Sequence, residues 1–153
     1  NTHSYNKIVH HALKNNLIDE LKDLLEIKPE TKFGANTRFD FLVLKKKYKA
    51  FIEVKNVTLS RKGKTAEFPD SITSRGLKHI NELVKASKKN YKIFILYLIQ
   101  RNDCKSFAIA KDIDPAYAAA LTKAIKKKLN IICYDCKFST KGIKLNNKIN
   151  FKI

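Results

Sequence analysis

The sequence predicts an α/β domain in which a mixed sheet is flanked by helices. Three observations carry this. Two apolar runs, residues 38–44 and 50–57, enclose a charged loop and read as a hairpin. Residues 92–99 are almost continuously apolar, as in a strand buried on both faces. Asp114-Pro115 opens a helix between that run and a further apolar run at 130–138, the order of a parallel crossover.

The elements follow in order. Residues 4–27 place apolar side chains at 8, 9, 13, 17, 18, 21, 24 and 25, a helical spacing. Asn15-Asn16 can divide this stretch into two helices, and Pro29 closes it. Residues 31–34 supply a short strand ahead of the hairpin, whose loop is Lys45 to Lys49. Residues 58–74, with Gly63, Pro69 and many polar groups, read as a loop. Ser74 can cap a helix to about Lys88 with Leu77, Ile80 and Val84 as its apolar stripe. The Asp114-Pro115 helix runs to about Lys128. The tail alternates at Ile143, Leu145, Ile149, Phe151 and Ile153 about Asn146-Asn147, the pattern of a terminal hairpin.

The chain has 153 residues, enough for one domain with a real core and too few for two. With 44% apolar and 10% aromatic residues it is not of the disordered class. No stretch approaches the roughly 20 apolar residues of a spanning helix. No secretory signal pattern opens it, and three Cys are an odd number and too few for a disulfide scaffold, so the expected setting is reducing and cytoplasmic.

The charge is the unusual quantity: 32 Lys and Arg against 14 Asp and Glu leave +18. Such a domain collects polyanions. DNA is the expected partner, with RNA as the alternative; a membrane surface is disfavoured because no long basic amphipathic helix is present. Part of the charge reflects a general Lys bias, since only Arg38, Arg61, Arg75 and Arg101 are Arg. Where Lys is the default cation, an Arg marks a need for a planar fork on phosphate or carboxylate.

One strand carries chemistry. In Phe51-Ile52-Glu53-Val54-Lys55-Asn56, Glu53 and Lys55 share a face, two positions apart. Closing the hairpin with Leu44 near Ala50 sets Asp40 opposite Glu53 to Lys55, a placement that a one-residue slip would reverse. Two carboxylates and an ammonium then converge. Paired carboxylates hold Mg²⁺ or Mn²⁺ through oxygens, and a neighbouring Lys stabilises charge on a phosphodiester undergoing attack. Clustered carboxylates repel without metal, so removing either is expected to cost little folding stability. The alternative is a solvated strand face bearing a simple Glu–Lys pair.

The runs Glu53-Val54-Lys55-Asn56-Val57-Thr58-Leu59 and Phe68-Pro69-Asp70, then Thr73-Ser74-Arg75-Gly76 and Lys78-His79, resemble the sugar fermentation stimulation protein A (SfsA) family. So do Asn1 to Leu13, Arg38-Phe39-Asp40-Phe41 and Gln100-Arg101, in matching order along nearly the whole chain. The resemblance implies a domain similar to the PD-(D/E)xK nuclease superfamily, with a restriction-endonuclease-like core. It implies that Asp40, Glu53 and Lys55 occupy the superfamily's acidic and basic positions, and that Glu30 is a further acidic site position. It further implies DNA binding and a link to the regulation of sugar (maltose) metabolism. An N-terminal domain similar to an oligonucleotide-binding (OB) fold is usual in the family. The present sequence opens near that junction, at Asn1-Thr2, and is expected to be a single nuclease-like domain over 1–153.

The function expected is therefore DNA binding on a nuclease scaffold, with Mg- or Mn-dependent cleavage at Asp40, Glu53 and Lys55 and the metal on Asp40 and Glu53. The alternative is a non-catalytic DNA-binding regulator that keeps the constellation as architecture. Arg75 and His79, four apart and opposite the Leu77/Ile80/Val84 stripe, are expected to meet nucleic acid together, as are Arg38 and Arg101. Gln100, at the carboxyl end of the buried strand, is expected to reach the Glu53/Lys55 site. Asp70 and Thr73, just before the helix that opens at Ser74, read equally as site residues and as loop and capping residues. Cys133 and Cys136, three apart on a strand, face opposite ways and do not suit joint zinc ligation. His10 and His11, neighbours on a helix, diverge by about 100° and do not suit a shared metal.

Overall fold

The computed structural model describes residues 2–153, with side chains from residue 4 onward; Asn1, part of the expected junction, lies outside the described residues. The elements are α1 (Thr2–Lys14), β1 (Glu26–Phe33), β2 (Thr37–Leu44), β3 (Lys49–Val57), β4 (Leu59–Lys62), β5 (Thr65–Phe68) and α2 (Ser74–Ser87). Then come β6 (Lys92–Ile99), β7 (Ser106–Ile109), α3 (Pro115–Lys126), β8 (Leu129–Ser139), β9 (Gly142–Lys148) and β10 (Asn150–Lys152).

Six strands form the main sheet in the order β1-β2-β3-β6-β8-β9. The outer pairs are antiparallel, while β3, β6 and β8 run parallel, so the expected mixed sheet and its crossover are present. The sheet divides the core in two. Ile8, Val9, Ala12 and Leu13 of α1 pack on one face, against Phe41, Val43, Ile52, Val54, Leu96 and Leu98. On the other face, α2 and α3 bury Ile80, Leu83, Tyr117 and Leu121 against Phe51, Ile95, Tyr97 and Ile99. Central strands covered on both faces need apolar residues at every position, which is why β6 reads as an unbroken run.

Helix starts are fixed by side chains. Asp114 accepts from the Tyr117 N–H with Pro115 in the first turn of α3. Its other oxygen accepts from the Thr73 N–H, so one buried carboxylate ties the starts of α2 and α3 together. The α2 cap is Thr73, one residue before the expected Ser74; its hydroxyl accepts from the Gly76 N–H.

Four expectations are corrected. Residues 15–25 hold no second helix: Asn16 takes φ 57° just after α1, and the chain reaches β1 through turns. Pro29 lies within β1, which spans more than 31–34; β1 is an edge strand, where a missing N–H is tolerated. The 58–74 segment contains the hairpin β4–β5, turning at Gly63 with φ 53°. The tail is not a terminal hairpin, because β9 pairs back on β8 while β10 lies parallel to β7. These short strands make a second sheet, β10-β7-β5-β4, whose Phe68 and Phe107 pack on Tyr97 with ring centroids 5.5 and 4.6 Å away.

Candidate active site

The hairpin register decides the site. Leu44 pairs with Lys49, and the ladder continues to Phe41 opposite Ile52, which brings Asp40 to Glu53. There two carboxylates take the place of ladder partners. The Asp40 N–H donates to Glu53 Oε1 at 3.3 Å, and the Val54 N–H donates to Asp40 Oδ2 at 2.8 Å. Strand alternation breaks at this point, since Phe39 enters the core under α2 and α3 while Phe41 enters the core under α1. On the neighbouring strand β1, Glu30 sits between Pro29 and Thr31, the partners of Phe41 and Phe39, in the left-handed region at φ 48°. The break turns the Asp40 carboxylate toward the sheet edge. It lines a groove of about 190 Å³ with Asn6, Lys7, His10 and Glu30.

Glu53 and Lys55 share the α2/α3 face, as the alternation requires. Lys55 Nζ lies 3.4 Å from Glu53 Oε2. A third group joins them: His79 of α2 brings Nδ1 to 2.6 Å from Glu53 Oε2 and 2.9 Å from Lys55 Nζ. Their side chains are 4% (Glu53), 8% (His79) and 11% (Lys55) exposed, so the cluster is nearly dry.

Burial and charge set the protonation states. Burial, reinforced by the Glu53 charge, pushes the Asp40 carboxyl up to about 7, against the opposing Val54 N–H and Asn6 amide. Burial acts to raise Glu53 as well, but His79 and the Lys55 charge outweigh it and the net direction is down. Burial lowers Lys55, helped by the charge of Arg75 and opposed by Glu53 and Asp40. The two carboxylates therefore differ in kind. Removing Asp40 relieves repulsion, whereas removing Glu53 strands a buried ammonium. By these directions, loss of Asp40 is expected to cost little and loss of Glu53 to cost more.

The donors suit a hard cation. Among the described residues no three of His, Cys, Asp and Glu gather into a cage. Two adjacent carboxylates, with waters completing the shell, are the pattern for Mg²⁺ or Mn²⁺ and not for zinc. Asn6 donates its amide to Asp40 Oδ1 at 3.0 Å, while its own Oδ1 is buried without a partner, an orphaned oxygen donor beside the carboxylate pair.

The remaining residues divide. Arg75 is exposed at the start of α2 and close enough for its charge to act on Lys55. His79 does not accompany it into solvent. The buried stripe of α2 runs through Gly76, His79, Ile80, Leu83 and Ala86, one step round from Leu77 and Val84. Arg38 is exposed on β2. Arg101 commits its fork to Asp103 at 2.7–2.8 Å and also reaches the Thr58 carbonyl. Arg61 likewise forks onto Glu67 and Asp112. Gln100 stands half-buried just past the carboxyl end of β6. Its main-chain N–H donates to the Val57 carbonyl, which ties it to the end of β3. Cys133 and Cys136 are buried and free in opposite cores. Asn6 carries no signal in the sequence, because an Asn in a helix is uninformative until the packing is known.

Residues 3–142 match the family model for the RE domain of sugar fermentation stimulation proteins. A homolog from Pelagibacter ubique is 50% identical over 149 residues, covering 97% of this chain and 64% of that protein. One from Roseobacter denitrificans is 39% identical over 149 residues, covering 97% and 63%. This chain thus spans just under two thirds of the length of these relatives. The solved structure of Pyrococcus furiosus SfsA in complex with Ca²⁺ superposes with TM-score 0.91 at 27% identity, covering all of this chain and 66% of that one. By its sequence and its fold alike, the chain belongs to the sugar fermentation stimulation protein (SfsA) family.

Proposed function

We propose that this chain is the metal-dependent domain of a DNA-binding protein that cleaves phosphodiesters, on a core like that of the PD-(D/E)xK nucleases. One observation carries the reading: Asp40 and Glu53 meet across neighbouring strands while Lys55 stands on the face of Glu53, 3.4 Å away. A bound Mg²⁺ or Mn²⁺ supplies a water of lowered pKa and neutralises phosphate charge. The Ca²⁺ named with the Pyrococcus furiosus protein supports a divalent cation in the family. Asp40 and Glu53 would hold the cation through carboxylate oxygens, with the unpartnered Asn6 Oδ1 close by. Lys55 presents its ammonium to the phosphate oxygen that gains charge, inside a nearly dry site where one oriented donor counts most. Arg75 and the surface lysines take the flanking phosphates, and Arg38, exposed on the same hairpin, adds to them. The remaining part of the longer relatives, expected to resemble an OB fold, adds contacts to nucleic acid. The setting is cytoplasmic, with DNA as the first polyanion and RNA as the second.

A second reading, a non-catalytic DNA-binding regulator tied to sugar metabolism, is favoured by the closure of Glu53 Oε2 by His79 at 2.6 Å. Incubating the protein with plasmid DNA in Mg²⁺ or Mn²⁺ separates the two. Cleavage by wild type that disappears in Lys55→Ala, with DNA affinity held within roughly threefold, supports the nuclease. Intact DNA binding without cleavage in either metal, in the full-length protein as well, supports the regulator. Equal cleavage by wild type and Lys55→Ala places the chemistry elsewhere.

A further inference from the structure

We propose that His79 is a positioning residue which orients Glu53 for its cation and keeps Lys55 from collapsing onto it; this rests on the reading of Asp40 and Glu53 as the metal-holding pair. His79 comes from α2, not from the hairpin that carries the other three groups. Its ring sits on the buried stripe, beside Ile80 and Leu83, where packing alone would favour an apolar residue. Yet among the described residues Nδ1 meets two charged side chains, at 2.6 Å to Glu53 Oε2 and 2.9 Å to Lys55 Nζ. Side-chain burial of this depth removes His79 from any phosphate on the surface and separates its role from that of exposed Arg75.

The contacts define what the ring does. Glu53 Oε1 is fixed by the Asp40 N–H. Oε2 is fixed by His79, so both oxygens are restrained and the carboxylate plane is set. Without the ring, Lys55 remains beside Oε2 at 3.4 Å. A buried ammonium and carboxylate left alone close to direct contact, which draws the oxygen away from Asp40. The ring's own position is anchored: Thr73 caps the start of α2, and Asp114 ties that start to α3. Hydrogen bonds of this kind to a ligating side chain are usually worth 10–100-fold in metal affinity.

The test is Mn²⁺ titration calorimetry at fixed pH on wild type, His79→Ala, His79→Asn, His79→Gln and Glu53→Gln, with DNA affinity measured separately in EDTA. Asn places an amide nitrogen near the site of Nδ1, whereas Gln reaches the site of Nε2. The expected result is a loss of roughly 10–100-fold in Mn²⁺ affinity for His79→Ala and His79→Gln. Recovery to within about threefold of wild type is expected for His79→Asn, and DNA affinity without metal should change by less than about threefold in all three. Should His79→Ala fail to fold, the contrast between Asn and Gln decides. Wild-type Mn²⁺ affinity in His79→Ala, equal rescue by Asn and Gln, or weakened DNA binding in EDTA each overturns the role of His79. Wild-type Mn²⁺ affinity in Glu53→Gln overturns the metal-holding pair itself, and a loss there beside an intact His79→Ala overturns His79 alone.

Discussion

Replacing Asp40 by Asn should stabilise the metal-free protein above neutral pH and do nothing of the kind in acid. Burial and the Glu53 charge hold the Asp40 carboxyl at about 7 in the fold, against 3.8 as its ordinary value. Between these values the folded chain keeps a proton that the unfolded chain has released, so stability falls as pH rises through the window. The slope is about 1.4 kcal/mol per pH unit, and the whole window is worth about 4 kcal/mol at most. The substituted amide does not titrate. It keeps an oxygen for the Val54 N–H and loses the donor–acceptor match with Asn6, a cost of about 1 kcal/mol at every pH. The variant should therefore gain about 2–3 kcal/mol on wild type between pH 5 and pH 8, or roughly 5–10 °C in melting temperature. Asp135, also raised by burial, contributes equally to both proteins and cancels in the difference. Thermal and urea melts in EDTA at several pH values measure this directly. Parallel stability curves for the two proteins would refute the assignment of a proton to Asp40.

Glu53→Ala should behave in the opposite way, costing about 3–5 kcal/mol in urea unfolding because a buried Lys55 ammonium loses its partner; Glu53→Ala as stable as wild type would contradict the ion-pair account. Mn²⁺ binding should release close to half a proton near pH 7 and weaken by up to about tenfold per pH unit below it, since a protonated Asp40 must ionise to ligate. Calorimetry in buffers of different ionisation enthalpy reads the proton count, and a value of zero counts against Asp40 as ligand. DNA binding by a chain with 28 Lys and four Arg should be phosphate-driven. It should fall by about 10³–10⁵ in affinity between 50 and 200 mM salt, and a flat salt response in a filter-binding titration counts against this.

Much of the site was legible because strands impose a period of two. Glu53 and Lys55 had to share a face. The short charged loop set Asp40 near them, but Leu44 pairs with Lys49 and not with Ala50. The break in alternation between Phe39 and Phe41 that aims the carboxylate left no trace in the sequence. The residues that complete the site were illegible for physical reasons. His79 lies on the buried stripe of α2, but Gly76 and His79 add nothing to an apolar count, so Leu77 and Val84 tilt the perceived face by one step. Asn6 acquires meaning only from the packing of α1 beside β2. At the level of the fold, β6 and β8 were readable as long apolar runs, while β4, β5 and β7 each have four residues, too few for a period to stand out. Pro29 reads as a helix stop and is in fact an edge-strand residue, a choice set by which neighbour the strand lacks.

The most direct measurement is a crystal of the protein grown with Mn²⁺ and measured at the manganese absorption edge. The account predicts one anomalous peak bridging Asp40 and Glu53, at about 2.0–2.6 Å from an oxygen of each, and absent in Glu53→Gln. A peak on other residues, or no peak at a metal concentration that supports cleavage, would contradict it.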